Sequence, residues 1–172
     1  MAVHPFFFLT MTRARLLAVA ILCGILAGAL PMPASAQATP FAGVWVLSPG
    51  RSTYRTPPPY TRITLSIVEA DERVSVTYDM VRVRGGVMHL EWVGRFDGRD
   101  YPLEGLEDFT VTNAYRRVDA RTLEVIQRVE GQVSVTATMA VSENGRELTV
   151  VTPSRDASGR DTTTTTVYTR RR

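Results

Sequence analysis

Val87-Met88-His89-Leu90-Glu91-Trp92-Val93-Gly94-Arg95-Phe96 decides the fold. Met88, Leu90, Trp92 and Phe96 share one parity, while His89, Glu91 and Arg95 take the other. Successive side chains leave a pleated strand on opposite sides, so a repeat of two marks a strand with one buried face. A helix would instead space its apolar residues three and four apart. The same alternation groups Ile63, Leu65 and Ile67, then Val74, Val76 and Tyr78, then Phe109, Val111 and Tyr115, then Leu123, Val125 and Val129. Val133, Val135, Ala137, Met139 and Val141 form the longest stripe, and Leu148, Val150 and Val167 close the series.

Turn chemistry separates the stripes. Ala70-Asp71-Glu72, Arg84-Gly85-Gly86, Asp97-Gly98, Glu130-Gly131, Asn144-Gly145 and Ser158-Gly159 each supply a residue that tolerates positive φ. About eight to ten short strands in a chain without helical periodicity predict an all-β, antiparallel, up-and-down barrel, in which closure removes exposed sheet edges. One linker departs from hairpin form. Ser48 to Tyr60 carries Pro49, Gly50 and Pro57-Pro58-Pro59 and reads as an irregular strap across one barrel end.

Ahead of this domain, Arg13 and Arg15 precede an apolar run from Leu16 to Leu30, followed by Pro31, Pro33 and Ala34-Ser35-Ala36. That order predicts a secretory signal peptide over residues 1–36, with a single domain over 37–172 and export to the periplasm or beyond. The apolar run is 15 residues, short of the roughly 20 that span a bilayer, so no membrane anchor is expected after cleavage. Cys23 follows Ala20-Ile21-Leu22 rather than a small residue, which argues against lipidation. Phe6-Phe7-Phe8-Leu9 is an apolar patch ahead of the arginines, and a start at Met11 would leave an ordinary signal.

The 172-residue chain contains no lysine, so its 20 basic residues are all arginine and lysine-based catalysis is excluded. Cleavage would remove Arg13 and Arg15 and bring the formal charge from +3 to about +1. The remaining arginines are interspersed with acids, apart from Arg170-Arg171-Arg172, and no nucleic-acid partner is expected. Cleavage also removes His4 and Cys23, leaving His89 as the one histidine and no thiol to form a disulfide.

Phe41-Ala42-Gly43-Val44-Trp45-Val46-Leu47 resembles the Gly-x-Trp first strand of lipocalins and fatty-acid-binding proteins. The resemblance implies that Gly43 and Trp45 plug one barrel end, with Arg170 of the last strand lying over the indole. Phe96-Asp97-Gly98-Arg99-Asp100-Tyr101-Pro102, Tyr115-Arg116-Arg117-Val118-Asp119-Ala120-Arg121-Thr122 and Val141-Ser142-Glu143-Asn144-Gly145-Arg146 are similar to phrases of small secreted bacterial lipocalin-like (calycin-type) proteins of unassigned function. A lipocalin-like fold and an exported protein are what this implies; no catalytic residue or cofactor carries over. The proline-bearing linker cannot form the two capping helices of fatty-acid-binding proteins.

His89 and Glu91 lie two apart on one strand face and could form a metal or acid/base pair, but one histidine and one carboxylate do not make a zinc site, and a solvated ion pair is expected. Asn113 and Gln127 interrupt apolar stripes, where they need either each other, a strand end, water or a ligand. Tyr78, Trp92 and Tyr115 sit on presumed inward faces and complete, with Asn113 and Gln127, the candidate ligand-binding set. The threonine run from Thr162 to Thr166 reads as a final strand. No nucleophile, phosphate-loop or metalloprotease motif occurs. The leading expectation is a non-catalytic binding protein for a small, mostly apolar ligand; a filled structural or envelope-stress barrel is the alternative. A motif-less isomerase or cyclase using Tyr78, Tyr115 or a neighbouring acid is the third. Oligomeric state is left open.

Overall fold

The computed structural model describes Thr39–Tyr54 and Tyr60–Arg172, so the signal-peptide reading and the Pro57-Pro58-Pro59 run lie outside the described residues. Ten strands follow one another: β1 (Gly43–Leu47), β2 (Tyr60–Ala70), β3 (Arg73–Arg82), β4 (Val87–Gly94), β5 (Tyr101–Glu104), β6 (Val111–Arg117), β7 (Thr122–Val129), β8 (Gln132–Val141), β9 (Glu147–Arg155) and β10 (Asp161–Arg170). Each pairs antiparallel with its sequence neighbour, and β1 pairs with β10, closing an up-and-down barrel. Positive φ at Asp71, Glu72, Gly98, Gly131, Gly145 and Gly159 places these residues in the tight connections their chemistry suits.

The first and last strands meet in register, with Trp45 opposite Arg170 and Leu47 opposite Tyr168. Ser48 to Tyr54 does not cross a barrel end. A 3₁₀ turn at Pro49–Arg51 bulges outward, and the chain then rejoins β10 through reciprocal backbone bonds between Thr53 and Thr165 of 2.8 and 3.0 Å. The described part of the expected strap is thus an extension of β1, because the prolyl turn removes residues from the ladder without reversing the chain.

Tyr101–Glu104 is a short strand that no sequence stripe marks, with Leu103 as the cross-strand partner of Trp92. Two further expectations are corrected. Phe109 precedes β6 and is exposed rather than sharing the Val111 and Tyr115 face. Val167 pairs with Thr149 and so belongs to the outward face; Tyr168, paired with Leu148, is the inward residue. Val167 is nevertheless buried, flanked by the bulge whose Ser48 and Ser52 bond its backbone.

The outward faces of β2, β3 and β4 carry Thr64, Ser66, Ser75, Thr77, Asp79, His89 and Glu91.

Candidate functional site

Two ends of the barrel differ. At one end the hairpins β2–β3, β4–β5, β6–β7 and β8–β9 gather with Phe41 and Arg170, and the interior is filled. Trp45 is fully buried, with its Nε1 donating to the Phe41 carbonyl at 2.8 Å. The Arg170 guanidinium lies 4.1 Å from the Trp45 ring centroid. Its Nη2 donates to the Pro40 carbonyl at 2.5 Å, its Nε to the Gly145 carbonyl at 2.6 Å, and its Nη1 to the Ala42 carbonyl. Glycine is required at position 43: φ is +134°, and a Cβ there would meet Arg170 Nη1 at 2.5 Å.

A second cation completes this end. Arg117 lies 5.1 Å from the Phe96 ring centroid and 5.8 Å from that of Phe41, with Glu69 at 3.8 Å. Burial pushes the Glu69 carboxyl up, and Arg117 pulls it back. Beneath lies an aromatic cluster, in which Trp92 meets Tyr115 edge-on at 4.6 Å and stacks with Phe96 at 6.5 Å.

From that plug the inward faces loosen strand by strand. On β7, Leu123 is buried while Val125, Gln127 and Val129 are only half-buried. On β8, Val141, Met139 and Ala137 are buried, then Val135 is half-buried. Leu148 gives way to Val150 and Thr152 on β9, Tyr168 to Thr166 and Thr164 on β10, and Leu65 to Ile63 on β2. Residues that point inward yet keep accessible surface make this half of the interior, called the open half below, less tightly enclosed than the other. Two places depart from the gradient: Met80 stays buried near the far end of β3, and β6 is buried along its inward face.

At the floor of the open half stand four tyrosines. Tyr78 and Tyr115 share a hydrogen bond between their hydroxyls. The Tyr168 phenol is pushed up by burial and then by the Tyr78 and Tyr54 phenols beside it, and Tyr115 is pushed up to about 12, chiefly by burial. Among the described residues the Tyr54 hydroxyl has no partner although its oxygen is shut off from solvent, and Tyr168 beside it is 7% exposed. Buried phenolic hydroxyls ordinarily find a partner.

Of the sequence candidates, Trp92 is wholly buried in the packed half, and its Nε1 donates to the Asn113 carbonyl at 2.9 Å. Gln127 Nε2 donates to Asn113 Oδ1 at 3.1 Å, so these two polar side chains answer each other across the β6–β7 ladder. Tyr78 and Tyr115 lie together at the floor. His89 and Glu91 are exposed and do not pair: His89 Nδ1 is 2.8 Å from Asp79, its cross-strand neighbour. A directly opposite residue is closer than one two positions along the same strand. Among the described residues no group of three potential metal ligands occurs.

Tyr54 and Tyr168 were missed. Tyr54 sits in the linker beyond any stripe, and Tyr168 was masked by assigning the inward face to Val167; counting back from Arg170 over Trp45 would have exposed the parity. At the end of the barrel that holds the open half, the β5–β6 connection with Leu103, Leu106, Phe109, Val111 and Glu130 lines a groove of about 330 Å³.

No protein-family pattern matches the chain, and comparison with curated proteins returns no match. Among solved structures, lobster apocrustacyanin A1 superposes with a TM-score of 0.42 at 10% identity, covering 77% of this chain and 61% of that one. The chain therefore spans less than two thirds of that structure.

Proposed function

We propose that this protein is a lipocalin-like binding barrel that holds a small, mostly apolar molecule in its open half. The observation that supports this most directly is the graded interior: inward side chains are sealed around Trp45 and Trp92 and retain accessible surface around Tyr54, Tyr78, Val125, Val150 and Thr164. A structural barrel would gain by filling that space, since each unfilled methylene forfeits packing. Tyr78, Tyr54 and Tyr168 form the floor, the β7–β8 valines part of the wall, and Tyr60 and Met88 the approach to the rim. Trp92 supports the floor from below, whereas the Asn113–Gln127 pair lies on the open side of Tyr115 with its two amides bonded to each other.

The same reading includes export, supported by the Arg-flanked apolar run and Ala34-Ser35-Ala36, with the mature chain beginning near Gln37. Sequencing the amino terminus of protein recovered from the host's extracytoplasmic fraction tests it; an intact terminus there would overturn it.

Native mass spectrometry of that protein, followed by extraction of what travels with it, tests the binding. A stoichiometric small molecule supports the barrel as a carrier. Protein that flies empty and shows no saturable uptake of apolar compounds gives the lead to the filled, structural alternative.

A further inference from the structure

Resting on that binding reading, we infer that the site selects an uncharged molecule with an apolar body and at least one hydrogen-bond-accepting oxygen, a ketone or ester, and rejects carboxylates. The inference comes from what the open half offers and what it lacks.

It offers hydroxyls. Tyr54 presents a solvent-sealed O–H without a partner among the described residues, and Tyr168, more than nine-tenths buried, stands beside it. Above them the β9–β10 wall adds more. Leu148 and Tyr168 are an inward pair, so the same parity carries Val150 with Thr166 and Thr152 with Thr164, and then Ser154 with Thr162 at the rim, whose two hydroxyls bond each other at 2.7 Å. The threonine run is therefore also a hydroxyl ladder up one side of the cavity. Beyond β1, on β2 to β4, Ile63, Tyr78, Met80 and Met88 make a largely apolar wall. A ligand with oxygen at its inner end and hydrocarbon along its flank satisfies both.

It lacks charge. Of the inward-parity residues in the open half, among those described, only Arg82 is ionic, and it ends β3 exposed at the rim. Four residues separate it from Tyr78, about 13 Å along a strand. The inward arginines, Arg117 and Arg170, are committed to the sealed end by Phe96, Glu69, Trp45 and three carbonyl groups. A carboxylate drawn down to the phenols would lose its water without gaining a cation, whereas a neutral carbonyl loses little and accepts the waiting O–H.

The test displaces Nile red, an uncharged apolar dye, from the purified protein with three competitors of equal carbon number: a methyl ketone, the fatty acid and the alkane. The ketone should compete at least about tenfold more strongly than the acid at neutral pH. Tyr54→Phe and Tyr168→Phe should each weaken the ketone about two- to tenfold and leave the alkane unchanged, a contrast that general loss of fold would not produce. In the infrared, the bound ketone's carbonyl stretch should fall to lower wavenumber and recover in the double variant. If the acid competes as well as the ketone, or the phenylalanine variants leave the ketone unaffected, the selectivity is overturned while the cavity stands. If Nile red shows no saturable binding and no competitor binds by calorimetry, the binding reading itself fails.

Discussion

Replacing Arg170 with methionine removes the donor fork of the plug while keeping its apolar stem. Three carbonyl acceptors, of Pro40, Ala42 and Gly145, lose their partner, and the Trp45 face loses a cation at 4.1 Å. At about 1 kcal/mol net for each hydrogen bond and about 1 kcal/mol for a partly exposed cation–π contact, the gross loss is about 4 kcal/mol. Methionine on the indole returns about 1 kcal/mol, leaving a net cost of about 3 kcal/mol. With a urea slope of about 2 kcal/mol/M, the unfolding midpoint should fall by about 1.5 M. Arg170→Lys keeps charge above the ring but cannot reach three carbonyls at once, and should lose about half as much. The assay is equilibrium urea unfolding followed by tryptophan fluorescence. A methionine variant within about 0.3 M of the parent would refute the idea that this end is held by the guanidinium.

Gly43→Ala should cost about 2–3 kcal/mol, because φ of +134° is unfavourable for a side chain and its Cβ would strike Arg170; combined with Arg170→Met in thermal or urea unfolding, the two losses should sum to less than their separate values. Tyr115 ionises at about 12 in the fold against an ordinary 10.0, so its contribution, full below pH 10.0, should drain away as pH climbs toward 12, by about 3 kcal/mol; tyrosinate absorbance should show Tyr78, Tyr115 and Tyr168 ionising late and together with unfolding, and smooth titration of all six tyrosines near pH 10.0 would contradict it. Asn113→Leu should destabilise by about 1–3 kcal/mol by orphaning the Gln127 amide, while the Asn113→Leu, Gln127→Leu double variant should recover most of that loss in the same unfolding assay.

Much of the barrel is legible in period and punctuation. Met88, Leu90 and Trp92 point inward because alternation on a pleated strand allows no other arrangement, and Asn144-Gly145 turns because glycine tolerates positive φ there. What escapes the sequence is set by partners distant along the chain. Tyr101–Glu104 contains a proline and has too few residues to display a period; it becomes a strand only because β4 and β6 flank it. Tyr54 follows a prolyl bulge that resets parity, and only the Thr53–Thr165 bridge shows which way it faces. The candidate site was half visible. Tyr78 and Tyr115 lie on readable stripes, whereas Tyr54 and Tyr168 belong to the seam between first and last strands, where pattern within one segment carries no information about the segment it meets.

That seam also dictates when the molecule can exist. Trp45 and Arg170 are separated by nearly the whole domain, yet neither is shielded until they stack. Hairpins from β2 to β9 can zip locally as they emerge, but the cylinder is an open, sticky sheet until its tenth strand arrives. A chain paused or clipped within the last strand would not be a slightly shortened protein; it would be an unclosed one, with two bare edges and its largest aromatic side chains in water. Arg170 is therefore where closure of the cylinder and shielding of Trp45 happen together.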